Sequence, residues 1–276
     1  MSKTNLPKVT IVTPSYNQAE FLEETILSVL NQTYPNIEYI IVDGGSTDGS
    51  VEIIKKYEDR LAWWVSEPDN GQSDAINKGF SHATGEIYNW LNSDDILYAE
   101  SVSVAVHFMQ KYPEYELVYG DRVVIDNHGR IIDVFEPVGV SRRMARFALR
   151  IPQETTFFTS RIWHKVGGLN EALHFVMDSD LWYRFLEETP FFHIPVFMGA
   201  YRNHEESKSV YGLGKEKTDR AMEEIMYLRK NYSSVLSKIR FLRKMVRYFN
   251  LVRQAYEKNR RTRRMIKEEV KQVIYQ

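Results

Sequence analysis

Two short apolar segments, each running straight into a polar turn, constrain this chain more than any other feature. Val9, Ile11 and Val12 form a run that ends at Thr13-Pro14-Ser15, and Ile37 to Val42 form a second that ends at Asp43-Gly44-Gly45-Ser46. Between them Phe21, Ile26, Val29 and Leu30 recur at helical spacing. The unit reads strand, helix, strand, the crossover that a parallel pair requires. Ligands of parallel sheets collect outside the carboxyl ends of the strands, so Ser15 to Asn17 and Asp43 to Ser46 are expected to gather there as binding turns.

Two familiar nucleotide cradles are excluded by the same stretch. No GxGxxG follows the first strand, and no GxxxxGK[ST] occurs anywhere in the chain. The glycines come after the second strand instead, beside an acid able to accept hydrogen bonds from a base or ribose, with small residues that let a ligand approach. A nucleotide-like ligand fits, but neither a dinucleotide nor an ATP cradle. The residues alone leave a second reading open, in which Asp43-Gly44-Gly45 is only a tight turn and Asp48 only a helix cap.

Further along, Leu61 to Val65 reads as a third strand, Ser73 to His82 as a helix and Glu86 to Leu91 as a fourth strand ending at Asn92-Ser93-Asp94-Asp95. A helix follows near Ser101 to Lys111. Glu116 to Ile125 and Arg130 to Phe135 then suggest a hairpin about Asn127-His128-Gly129. The change from strand-helix alternation to mixed elements marks a passage from one half of the molecule to another. No internal repeat or low-complexity segment is present. The chain has 276 residues, 43% of them hydrophobic, which suffices for a substantial core.

The absence of cysteine excludes disulfides, thiolate metal sites and cysteine nucleophiles, and suits a reducing cytoplasm. No secretory segment opens the sequence, and no apolar run approaches the ~20 residues of a spanning helix. The net charge of −1 conceals a division, since residues 235–276 hold 13 Lys and Arg against 3 Glu while the rest is acidic. An acidic body without a basic patch is a poor nucleic-acid binder.

Three segments in order carry a family resemblance: TPSYNQAEFLEETILSVLNQTYPNIEYIIVDGGSTDGS, EPDNGQSDAINKGFSHATGEIYNWLNSDDIL at 67–97 and FVMDSDLWYRF at 175–185. Together they resemble the family 2 inverting glycosyltransferases, over roughly residues 7–210. The resemblance implies an α/β fold of the GT-A type with a mostly parallel central sheet, to which charge and helical spacing add a C-terminal helical extension. It implies a catalytic domain over 1–212, with the donor-binding half at about 1–99 and the acceptor-binding half at 100–212, and a basic extension over 213–276. Donor contacts are then expected from Thr13, Pro14, Ser15, Asn17, Asp43, Gly44, Ser46, Asp74, Asn92, Asp94 and Asp95.

Asn92-Ser93-Asp94-Asp95 stands where the family usually reads Asp-x-Asp-Asp. A diphosphate leaves poorly unless its charge is neutralised, so the resemblance implies a divalent cation, Mg or Mn, with Asp94 as its ligand. Asn92 replaces a carboxylate there and can donate to a ligand or accept from a sugar hydroxyl. Met177-Asp178-Ser179-Asp180-Leu181-Trp182 matches Glu-Asp-x-Asp-Leu-Trp, which maps the general base onto Asp178, with Asp180 the competing acid. Inversion needs one carboxylate facing the acceptor hydroxyl. Met177 replaces an acid, and an apolar neighbour raises a carboxyl's affinity for protons. Alternatively both acids only complement the helix dipole.

Gln153, in the Ile151 to Phe158 segment, is an expected acceptor contact, whereas the Phe157-Phe158 pair reads as core. Tyr201-Arg202-Asn203-His204-Glu205-Glu206-Ser207-Lys208-Ser209 resembles the family's Arg-x-His-x-x-Ser-Lys-Ser loop. This makes His204 a further metal ligand or phosphate contact, and Arg202 and Lys208 candidates to neutralise phosphate. From Val235, an apolar helical face through Ile239, Leu242, Val246, Phe249 and Tyr256 is ringed by basic residues. It suits packing on the body, a second subunit or an anionic membrane surface.

The expected protein is therefore an enzyme that moves a sugar, with inversion, from a nucleoside diphosphate sugar, UDP-linked by resemblance, to a hydroxyl of a glycan or lipid-linked glycan. It is expected to be cytoplasmic and peripheral at the inner face of a membrane. A non-catalytic nucleotide-sugar-binding or scaffold subunit is the competing class, motivated by Asn92 and Met177. A sugar-phosphate nucleotidyltransferase would need a basic glycine-rich loop, which Pro14-Ser15-Tyr16-Asn17 is not.

Overall fold

The computed structural model describes residues 6–137, 149–205 and 215–232. Strands β1 (Val9–Ser15), β2 (Ile37–Asp43), β3 (Trp63–Ser66) and β4 (Ile87–Trp90) alternate with helices α1 (Ala19–Leu30), α2 (Ser50–Lys56) and α3 (Gln72–Ser81). All four strands run parallel, in the order β3-β2-β1-β4. The strand expected over 61–65 begins two residues later, because Glu58–Arg60 closes a 3-10 turn first.

The second half follows as β5 (Ile96–Leu97), α4 (Ser101–Lys111), β6 (Leu117–Ile125), β7 (Ile131–Phe135), β8 (Thr156–Thr159), α5 (Ser160–Val166), α6 (Met177–Glu188), β9 (Phe191–Arg202) and α7 (Lys215–Tyr232). The sheet continues from β4 through β8, β6 and β9 to β5. Here β8 is antiparallel to both its neighbours, whereas β6 and β9 are parallel, so the whole is a mixed sheet. The expected hairpin is present as β6 and β7, its turn held by the Asp126 carboxylate, which accepts from the N–H groups of His128 and Arg130.

Helices cover both faces, which explains the near-continuous apolar runs of the central strands. On β2, Tyr39 and Ile41 join one buried cluster with Leu22, Ile26 and Val29 of α1 and with residues of α4. Ile40 and Val42 point the other way, among Ile76 and Phe80 of α3, Trp163 of α5 and Leu181, Trp182 and Phe185 of α6. Phe157 and Phe158 are both fully buried, one in each cluster, as expected of core residues. Each such side chain contributes roughly 1.5–3 kcal/mol by leaving water. Gly79 lets α3 lie close on β1, since a Cβ there would come within 2.4 Å of Val12 Cγ1.

Asp48 caps two helices at once. Its Oδ2 accepts from the Ala19 N–H at the start of α1, while Oδ1 accepts from the Ser50 N–H and hydroxyl at the start of α2. Gln18 itself gives α1 no side-chain cap, so the turn after β2 completes the turn after β1. Of the extension expected over 213–276, α7 packs on α6 and the opposing core through Ala221, Ile225 and Leu228. The basic apolar-faced segment from Val235, and Lys208 in the loop after β9, lie outside the described residues. Among the described residues no helix is long and apolar enough to cross a membrane.

Candidate active site

The carboxyl ends of β1, β2 and β4 open into a cavity of about 990 Å³, closed on its far side by the start of α6. Its first wall is the pair of turns after β1 and β2. Asn17 adopts a left-handed backbone conformation at φ 51° and ties the turns together, its N–H donating to Ser46 Oγ at 2.8 Å and its Oδ1 accepting from the Thr47 N–H at 2.9 Å.

Asp43 organises this wall from behind. It is fully buried, and it accepts from the N–H groups of Gly45 and Ser46 and from the hydroxyls of Ser46 and Ser66. Gly44 lines the cavity, where an added Cβ would stand 2.8 Å from Asp69 Oδ2. The acid that this wall shows to the cavity is thus Asp69, in the loop after β3, its Oδ1 accepting from the Gly71 N–H. Thr13 is buried with its hydroxyl 3.0 Å from that of Tyr39, and Asp74 holds Asn70 by its N–H and side-chain amide.

Of the expected donor residues, Pro14, Ser15, Asn17, Gly44, Asn92, Asp94 and Asp95 line the cavity. Thr13, Asp43, Ser46 and Asp74 support it. Ser15 Oγ and Gln18 Oε1, on cavity-lining residues, are buried without a hydrogen-bond partner among the described residues. Buried polar groups are almost always paired, and Asn89 Oδ1, Asp121 Oδ2 and Trp182 Nε1, on residues that do not line the cavity, share this state.

The floor is a polar relay. Gln72 donates to Asn92 Oδ1 at 2.6 Å, Asn92 Nδ2 donates to Asp95 Oδ2 at 3.1 Å and to Gln153 Oε1 at 3.2 Å, and Gln153 donates to the Trp90 carbonyl. Burial pushes the Asp95 carboxyl well above the ordinary range, and the charges of Asp94 and Glu154 push it further. A carboxylate at 92 would add a fourth like charge, within hydrogen-bond distance of Asp95, whereas Asn92 donates. This accounts physically for the departure from Asp-x-Asp-Asp.

Asp94 and His204, 110 residues apart, meet with Oδ2 and Nε2 3.0 Å apart. His204 also packs on Phe21, ring centroids 4.8 Å apart. Together they offer one carboxylate oxygen and one imidazole nitrogen, a donor set that fits Mn or Mg. No group of three or more His, Cys, Asp or Glu able to hold a metal occurs among the described residues, so any cation held by this pair would need further ligands from outside them.

Arg202 is placed differently from expectation. Only 2% exposed, it donates to the Asp94 and Asp126 carbonyls, pairs with Glu24 and stacks over Phe21. Its backbone N–H donates to Asp95 Oδ1. It clamps α1, the loop after β4 and the end of β6 from outside the cavity. The guanidinium that does line the cavity is Arg122 of β6, forked onto Glu154 and lying over the Tyr201 ring at 5.0 Å. Neither Arg122 nor Glu154 stands in the three segments that carry the resemblance.

Asp178 lines the cavity from the first turn of α6, beside Met177. Burial raises its carboxyl above the ordinary value, and the Ser179 N–H, donated at 2.6 Å, and the Arg122 charge draw it partly back. Asp180 turns away. It is 1% exposed, and it accepts from Arg184 Nε at 2.9 Å and from the Tyr232 hydroxyl at 2.8 Å. The position of the missing acid is filled by Met177, whose sulfur accepts from the Ser73 hydroxyl and fastens α6 to α3.

Residues 10–164 match the family described as Glycosyl transferase family 2. An uncharacterized glycosyltransferase of Rickettsia felis is 30% identical over 213 residues, which cover 74% of this chain and 35% of that protein. Hyaluronan synthase of Pasteurella multocida is 29% identical over 215 residues, 77% of this chain and 22% of its own. The chain thus spans about a third or less of the length of these two relatives. Among solved structures, S. aureus TarS 1-349 in complex with UDP-GlcNAc superposes with a TM-score of 0.67 at 18% identity, covering 88% of this chain and 73% of that one. Mannosyltransferase PcManGT from Pyrobaculum calidifontis, in complex with GDP-Man and Mn2+, gives 0.59 at 18% identity, covering 92% and 77%. These structures share the fold, and the family match extends over more than half of the sequence: the chain is a member of glycosyl transferase family 2, with a GT-A fold.

Proposed function

We propose that the cavity binds a nucleoside diphosphate sugar, UDP-linked, and that the protein transfers the sugar with inversion to a hydroxyl of a glycan or lipid-linked glycan. The observation that carries this reading is the placement of Asp178 in the same cavity as the Asp94–His204 pair. One end offers a carboxylate with raised proton affinity, and the other offers ligands for a phosphate-bound cation. The Pasteurella relative's name and the nucleotide sugars in the two neighbouring structures support a nucleotide-sugar donor, and the UDP-GlcNAc of one of them supports UDP.

In this mechanism the acceptor hydroxyl loses its proton to the Asp178 carboxylate as its oxygen forms the bond to the anomeric carbon. The bond from that carbon to the diphosphate oxygen breaks, and the nucleoside diphosphate leaves with the electron pair. Asp94 and His204 would hold a divalent cation, which supplies charge neutralisation for the leaving diphosphate. Asn92, fixed by Gln72 and Gln153, is set to contact the sugar, and Gln153 the acceptor side. The Ser179 N–H and then the Arg122 charge offset part of the burial that raises the Asp178 carboxyl.

The basic segment beyond residue 234 is proposed to hold the enzyme at the inner face of an anionic membrane, as a peripheral protein. Screening UDP- and GDP-sugars for binding and turnover, with Mn2+, Mg2+ or chelator, tests the donor reading. Saturable binding of a UDP-sugar in Mn2+ is the expected result. Failure of every nucleotide sugar to bind would refute it.

A further inference from the structure

Helix α6 carries the base but lacks a cap of its own. Its N-cap residue is Val176, which makes no side-chain hydrogen bond, and the preceding residues His174 and Phe175 line the cavity. The donors of this turn are satisfied from a distant part of the chain. Glu224 of α7, only 6% exposed, accepts from the His174 N–H at 3.0 Å with both oxygens, from Phe175 at 2.7 Å and from Val176 at 3.3 Å. Three successive N–H groups at a helix start form an anion-binding nest, and one carboxylate from another helix occupies it. Further along the two helices, Tyr232 donates to Asp180 and stacks on Tyr183, with ring centroids 4.9 Å apart.

We propose that Glu224 is a positioning residue for Asp178: by capping α6 from α7 it fixes where the base carboxylate, two residues beyond Val176, and the wall residues His174 and Phe175 stand. Docking of α7 has other contacts, since Ile225 and Leu228 pack it on the core and Tyr232 ties it to Asp180. Arg220, one turn earlier on α7, also reaches Glu224 Oε1 at 3.3 Å, but its side chain is 56% exposed, so the three backbone donors beside the base are the buried partners of this carboxylate. Without it the turn would lose its shared acceptor, and Asp178 would no longer be held at one distance from the acceptor hydroxyl. Displacements of about 1 Å cost up to roughly 10² in rate. The inference rests on the reading of Asp178 as the base.

The test compares the full chain with Glu224→Ala, Glu224→Gln, Asp178→Asn and the Glu224→Ala/Asp178→Asn double variant, below their unfolding temperatures. It measures kcat for transfer and the affinity for UDP in Mn2+. Glu224→Ala is expected to lower kcat by about 10–100-fold with UDP affinity held within about two-fold, because the group acts on the base and not on the nucleotide. Glu224→Gln, which keeps one acceptor oxygen, is expected to fall between. In the Asp178→Asn background, Glu224→Ala should have no further effect on residual transfer. Folded Glu224→Ala or Glu224→Gln with wild-type kcat overturns the proposal, as does an equal loss in the Asp178→Asn background. Should Glu224→Ala not fold, Glu224→Gln decides. An active Asp178→Asn variant would overturn the base reading itself, whatever Glu224 does.

Discussion

Asp178 and Asp180 stand two residues apart on α6, and replacing each by Asn should produce opposite phenotypes. Asp178 faces the cavity, and burial raises its carboxyl. Asparagine there keeps an oxygen for the Ser179 N–H and removes a charge that the fold holds at a cost, so thermal stability should be unchanged or slightly higher. Transfer should fall by about 10²–10⁴, or about 2.7–5.4 kcal/mol of lost transition-state stabilisation. Affinity for UDP in Mn2+ should be unchanged, since the base acts on the acceptor. Asp180 is buried, with Arg184 and Tyr232 on its oxygens. Its asparagine variant removes the charge facing Arg184, whose side chain is 23% exposed and still donates to the Val166 and Gly168 carbonyls. Breaking a buried pair costs about 3–5 kcal/mol, and the partial exposure of Arg184 places the cost near the lower end. At 2–4 °C per kcal/mol for a domain of this size, about 3 kcal/mol is roughly 6–12 °C in Tm. Steady-state transfer, nucleotide titration calorimetry and thermal melts on both variants measure these quantities. An Asp178→Asn enzyme turning over near the wild-type rate, beside a normally stable but inactive Asp180→Asn, would refute the assignment and move the base to Asp180. The pH profile adds a second check. A base must be ionised, so activity is lost as pH falls through its pKa, and the raised carboxyl puts that acid limb above the ordinary Asp value of about 3.9.

Three further outcomes are expected. Asp94→Ala and His204→Ala should weaken nucleotide-sugar binding and transfer together by roughly 10–100-fold, His204→Ala the less severe, and full wild-type activity in chelator would show that no cation is needed. Asp95→Asn should gain stability relative to wild type as pH rises: a carboxyl whose folded pKa is raised contributes stability below its unfolded value and loses it as pH climbs through the folded one, so a melt difference that is flat with pH would contradict the buried-charge account. Truncation after Ser234 should leave transfer to a short soluble acceptor intact while abolishing salt-sensitive sedimentation with anionic liposomes, each basic residue near such a surface contributing about 1 kcal/mol; a full-length protein that never sediments, with a truncated form that changes oligomeric state, would make the segment an assembly element.

The sheet was readable because β2 alternates two faces that are both buried, and because the turns after β1, β2 and β4 interrupt apolar runs with Asn, Asp, Gly and Ser. Strand ends place residues, so Asn17, Gly44, Asn92 and Asp94 could be set at one cavity from sequence, whereas Asp178, on a helix, was set there by the family resemblance alone. What strand ends do not reveal is which acid remains available. Asp43 is consumed by its own turn and by Ser66, 23 residues away, and the cavity is left with Asp69. That depends on β2 pairing with β3, which no local pattern reports. Arg202 matched a phosphate-binding loop by position, yet Glu24 from α1 and carbonyls from two loops hold it elsewhere.

Two features around the cavity had a signal in the sequence. Arg122 interrupts the apolar run of β6, LVYGDRVVI, and a charge within a buried strand requires a partner. The run by itself therefore demands an acid such as Glu154, though it does not say which one. The second signal is stronger. Asp180 and Arg184 lie four apart on a helix, the spacing at which acid and base meet on one face. Asp178 has Trp182 at the same offset and no basic partner three or four residues on. Of two acids in one first turn, the one with a local cation is held in an ion pair. The acid without one, Asp178, is in this fold the one that faces the cavity.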